Sequence, residues 1–133
     1  MTVSPLDTWH HIVRTGDASA LHDLLAEDAV FFSPVVHSPR HGRGQVLMYL
    51  GAALTVVRNA SFRYVREIVG ERDAMLEFET TMDEVLVNGV DIIRWNDAGR
   101  IVEFKVMLRP LKGIDVVHQK MAQMLQAGQK PAP

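Results

Sequence analysis

Apolar positions recur every three to four residues early in the chain and every second residue in its later half, a pattern of helices followed by strands. Leu6, Trp9, Ile12 and Val13 share one helical face and predict a helix over 5–15, closed by Gly16. Asp17 reads as the N-cap of a second helix with the stripe Leu21, Leu24 and Leu25. The run A-V-F-F-S-P predicts a short strand ended by Pro34, and V-V-H-S-P-R-H-G-R-G an irregular loop. Val46, Tyr49, Leu50, Ala53, Leu54 and Val57 predict a third helix over 45–57. The period then falls to two. Strands are expected over 62–69, 74–87, 90–95 and 101–108, joined by G-E-R-D, N-G and N-D-A-G into a four-stranded antiparallel meander. Val117, Met121, Met124 and Leu125 share a face of a closing helix over 114–127, and 128–133 is expected to be a disordered tail. This order predicts an α+β fold with helices on one face of a sheet, in a single domain over 1–127.

Simple alternation sorts the sheet residues into two faces. Leu76, Phe78, Thr80, Asp91, Ile93, Trp95, Phe104, Val106 and Leu108 fall on one side, whereas Glu77, Glu79, Arg94, Glu103, Lys105 and Arg109 fall on the other. Asp91 is thus an acid among apolar neighbours on the covered face. Burial disfavours a carboxylate, so its pKa is expected to rise, which suits a general acid, a general base or a neutral hydrogen-bond donor to a developing oxyanion. The alternative is a structural acid bonded to a backbone N–H or to an arginine such as Arg58 or Arg66. Tyr64 and Arg66 are expected to share a face, inner or outer.

Composition narrows the partners. The chain has 133 residues, a formal net charge of -2, and basic residues interspersed with acids, so neither nucleic acid nor an anionic membrane is an expected partner. There is no long apolar run, and the start M-T-V-S-P-L-D lacks the form of a signal peptide, which makes the cytoplasm the expected location. The absence of cysteine excludes a disulfide framework, a thiolate nucleophile and cysteine-ligated zinc.

His37 and His41 lie in the loop after the first strand, where a histidine can act as acid or base at neutral pH; His37 is the candidate proton shuttle. As a metal pair they lack a helical frame and a third ligand, so no metal and no cofactor is expected. His10, His11, His22 and His118 sit on predicted helices and carry no assigned role. There is no Walker spacing, nucleophile elbow or dinucleotide fingerprint.

The segment T-G-D-A-S-A-L-H-D-L-L-A-E-D-A-V-F-F-S-P, followed late in the chain by V-D-I-I-R-W-N-D-A-G-R-I-V, resembles the nuclear transport factor 2-like superfamily. That superfamily includes SnoaL-like polyketide cyclases and ketosteroid isomerases. The resemblance implies a cystatin-like cone in which a bent antiparallel sheet wraps a helix, with a ligand pocket in the open end and homodimers through the outer sheet face. It places Asp91 where ketosteroid isomerases hold a neutral aspartic acid in the oxyanion hole. The position of the isomerase general base is Ser33 here, and that of the helix-1 tyrosine is Trp9, so classical steroid isomerase activity is not expected. The expected function is binding of a small hydrophobic molecule in an apolar pocket, with cofactor-independent isomerisation, cyclisation or dehydration of a carbonyl compound by proton transfer. The alternative is a non-catalytic ligand-binding or dimerisation module. Besides Asp91 and His37, the expected pocket lining is Trp9, Phe31, Ser33, Tyr49, Phe78, Ile93, Trp95, Phe104, Val106 and Leu108.

Overall fold

In the computed structural model, which describes residues 4–129, helix α1 spans Pro5–Thr15. Ser4 caps it by accepting from the Leu6 N–H, and Gly16 ends it at φ 76°, a left-handed conformation that glycine adopts without Cβ strain. Leu6, Trp9, Ile12 and Val13 are all buried, as their spacing requires. Asp17 caps only a short 3₁₀ turn, Ala18–Ala20, and the following α2 is one turn, Leu21–Leu24. Leu25, expected on a helix, instead opens strand β1, Leu25–Phe32. The strand therefore starts four residues before the run that predicted it, because Leu25 pairs with a distant segment around Ile101.

The loop after β1 contains a strand that periodicity does not reveal, β2 at Arg40–His41, which pairs with Val30 and Phe31. Helix α3, Arg43–Val57, presents two adjacent stripes. Val46, Leu50 and Leu54 are buried, whereas Tyr49, Ala53 and Val57 are half-buried beside cavities.

Four strands follow: β3 (Arg63–Val69), β4 (Asp73–Met82), β5 (Val85–Trp95) and β6 (Ile101–Arg109). They form the expected antiparallel meander in a six-stranded sheet ordered β2-β1-β6-β5-β4-β3. The sheet is mixed, since β1 runs parallel to β6. Asn88-Gly89, expected as the turn between β4 and β5, lies inside β5. The actual turn is at Asp83 and Glu84, both at positive φ (50° and 66°). Gly89 serves packing instead: a Cβ there would lie 2.4 Å from Phe78 Cζ and 2.7 Å from Leu108 Cδ2.

Helix α4, Leu111–Gln129, packs on α3, β5 and β6. It covers the first two residues of the stretch expected as a tail; the remainder of that stretch lies outside the described residues. The main core joins α1, α2, α3 and the inner sheet face, while Met82, Val87 and Val117 form a second cluster. No helix among the described residues is long and apolar enough to cross a membrane.

Candidate active site

Alternation through β4, β5 and β6 brings Leu76, Asp91 and Val106 side by side on the inner face. Asp91 is only 6% exposed, and Thr80 is the other buried polar residue among those described. Thr80 satisfies its hydroxyl on the Val57 carbonyl at 3.1 Å. Asp91 faces no arginine: Arg66 pairs with Glu77, and Arg58 donates to the carbonyls of Val13 and Arg14 at the end of α1.

The partner of Asp91 is Tyr64, whose hydroxyl donates to Oδ2 at 2.7 Å and accepts from Trp9 Nε1 at 2.9 Å. Trp9 is held in turn by an edge-on contact with Phe104, 4.9 Å between ring centroids. Burial pushes the Asp91 carboxyl up from 3.8 to about 7, and the Tyr64 bond, which favours the carboxylate, offsets only part of that rise. Burial also raises the Tyr64 phenol well above its ordinary value, with the neighbouring carboxylate acting in the same direction. Tyr64 is thus a fixed donor, and Asp91 is the group that changes protonation near neutrality.

A bulge in β3 between Tyr64 and Arg66 creates this arrangement. Simple alternation put both residues on one face; instead Tyr64 pairs with Phe78 and points inward, while Arg66 pairs with Glu77 on the outer side. Sequence reasoning left Tyr64 without a role for that reason. The one available signal was that Tyr64 is a buried-type aromatic with a hydroxyl needing a partner, beside an acid needing a donor.

Two adjoining cavities surround the site. A chamber of about 40 Å³ is lined by Trp9, Tyr64, Phe78, Asp91 and Phe104. A mouth pocket of about 200 Å³ is lined by Phe31, Ser33, Tyr49, Leu108 and residues of α4 including Val117, Met121 and Leu125. Ala53, Val57 and Val106 line both. Ile93 and Trp95, expected in the lining, border neither: Ile93 is fully enclosed in the core between Ala74 and Phe104, and Trp95 packs against that core beside a bulge.

Ser33 lines the mouth, but its hydroxyl accepts the N–H groups of Val35 and Val36 at 3.1 and 3.3 Å and so shapes the loop. His37 is exposed and borders an outer groove with Lys105 and Met107, away from the Asp91 chamber, so the structure does not bring the expected proton shuttle to the acid. Val35 and Val36 still line the mouth, whereas His37, Ser38 and Pro39 are exposed and do not. His10 is half-buried, pairs with Glu67 at 2.7 Å and sets its ring edge-on to Tyr64. Among the described residues, no three ligating side chains converge as a metal site.

The fold and sequence have clear relatives. The structure matches a steroid delta-isomerase from Pseudomonas aeruginosa with a TM-score of 0.88 and 38% identity, over 93% of this chain and 90% of that one. It matches a cystatin-like protein from Silicibacter pomeroyi DSS-3 with a TM-score of 0.83 and 33% identity, over 92% and 85%. A nuclear transport factor 2-like protein of unknown function from Mesorhizobium loti superposes with a TM-score of 0.70 and 25% identity, over 80% and 88%. A search of curated protein sequences finds no significant match. The SnoaL-like domain model matches residues 6–104, and with the cone, its buried acid and its apolar mouth in view, the chain belongs to the SnoaL-like family of the nuclear transport factor 2-like superfamily.

Proposed function

We propose that the protein binds a small hydrophobic carbonyl compound and transfers a proton on it without a cofactor, as an isomerase, cyclase or dehydratase. The observation that carries this reading is Asp91: a carboxyl group that titrates near neutrality, held by Tyr64 at the wall of a cavity that shares Ala53, Val57 and Val106 with the apolar mouth. The chamber holds only a few atoms, so the ligand body occupies the mouth and its carbonyl end reaches between Ala53, Val57 and Val106 toward Asp91. An ionised Asp91 takes a proton from the carbon next to the carbonyl, and the resulting carboxylic acid returns it elsewhere on the same molecule, so no proton is gained or lost. The protonated form can instead donate to the carbonyl oxygen. The likeness to a steroid delta-isomerase supports proton transfer. In this reading Asp91 supplies the acid-base function and Ser33 shapes the loop beside the mouth.

A panel of small cyclic ketones incubated with the protein in deuterated water tests this directly by hydrogen exchange beside the carbonyl. Asp91→Asn is expected to slow exchange on the order of a hundredfold. An unchanged rate in that variant removes Asp91 from catalysis. A serine at position 33 in place of a titratable base favours a second reading, a ligand-binding module without turnover, in which the same variant keeps its ligand and no exchange occurs in either protein.

Assembly belongs to the same proposal. Ile68, Met75 and Met107 are exposed on the outer sheet face beside ion pairs such as Arg66–Glu77, a surface suited to pairing two copies as a homodimer. Light scattering on a size-exclusion column is expected to give twice the chain mass, and Met107→Glu to give the single chain.

A further inference from the structure

Arg40 is the one residue with a permanent charge among those lining the mouth pocket, and no acid lines it. Its backbone is fixed by the pairing of β2 with Phe31, and its guanidinium lies over the Tyr49 ring, with Cζ 4.6 Å from the centroid. A guanidinium held over an aromatic face keeps N–H donors for other partners. Other arginines are committed: Arg63, Arg66 and Arg72 to carboxylates, and Arg43 and Arg58 to backbone carbonyls. Among the described residues no ion pair or side-chain hydrogen bond occupies the Arg40 fork. A half-buried, pre-positioned and unpaired guanidinium on a largely apolar wall, whose other polar side chains are Ser33, Tyr49 and His118, matches a planar anion on the ligand.

We propose that Arg40 binds a carboxylate at the outer end of the ligand, which makes the ligand a small oxo acid: carboxylate at the mouth, apolar body between, carbonyl toward Asp91. A phosphate dianion would demand more charge and more donors than one arginine provides. Size limits the apolar body to a small ring system, because a cavity of about 150 Å³ holds a benzene ring and the mouth is of that order, at about 200 Å³. This inference rests on the mouth pocket being the ligand site, as in the proposed function.

The test compares a naphthoate with the matching uncharged naphthamide, titrated by calorimetry at neutral pH. The wild type is expected to bind the acid about tenfold more tightly than the amide. Arg40→Gln is expected to lose that preference while keeping its amide affinity, and Arg40→Lys to keep part of it. Retained amide binding shows that the pocket is still folded, so loss of the preference is not a folding defect. Equal affinity for the two probes in the wild type, or an undiminished preference in Arg40→Gln, overturns the role of Arg40 while leaving the ligand site standing. Binding of neither probe overturns both readings.

Discussion

The Tyr64 hydroxyl lies 2.7 Å from Asp91 Oδ2 and donates to it, so a residue of the edge strand β3 tempers the effect of burial on an acid two strands away. Removing that donor with Tyr64→Phe leaves burial unopposed, and the Asp91 pKa is expected to rise further above about 7. Carbon-13 titration of the Asp91 carboxyl reads the shift. The variant also strands the Trp9 indole N–H, at a cost of about 1–3 kcal/mol in chemical denaturation.

Stability should depend on pH through the same group. Asp91 has a raised pKa in the folded state, so between 3.8 and about 7 the folded chain holds a proton that the unfolded chain has released. The Asp91 contribution therefore falls as pH rises across that window, by about 4 kcal/mol in all, and is flat above it. Asp91→Asn cannot ionise. Its stability relative to wild type is expected to climb through the same window and level off, as denaturation midpoints at a series of pH values will show.

Ala53 lines both cavities and, in the proposed function, the route between them. Leucine there grows into open space, so stability is expected to change by less than about 1 kcal/mol while the passage to Asp91 narrows. Ligand binding in the mouth should persist as proton exchange falls to background. Exchange at the wild-type rate would show that substrate reaches Asp91 by another path.

Gly89→Ala tests the packing of β5. The new methyl group meets Phe78 at 2.4 Å and Leu108 at 2.7 Å, so one or both side chains must shift, and a loss of about 1–3 kcal/mol is expected in urea unfolding. A stable alanine variant would show that the inner face of the sheet yields more readily than the close contacts imply.

Much of the architecture is local and was legible. Alternation along β4, β5 and β6 placed Asp91 beside Leu76 and Val106 on the covered face, because a pleated strand turns successive side chains to opposite sides wherever its partners lie. Helical spacing likewise identified the buried residues of α1 and the inward-facing set of α3, which the structure divides into a buried stripe and a cavity-side stripe. Where the chain turns and bulges depends on partners far along the sequence. Asn88-Gly89 carried the stronger local turn signal, yet the space between Phe78 and Leu108 held it inside a strand and moved the turn to Asp83-Glu84. The parallel pairing of β1 with β6 drew Leu25 out of its helix, and His37 faces an outer groove instead of the site. The β3 bulge turned Tyr64 inward and Arg66 outward. The sequence by itself determined that an acid would be buried in this sheet; only the tertiary structure decided what holds it and what opens onto it, because bulges and cavities arise from contacts between segments that no local period encodes.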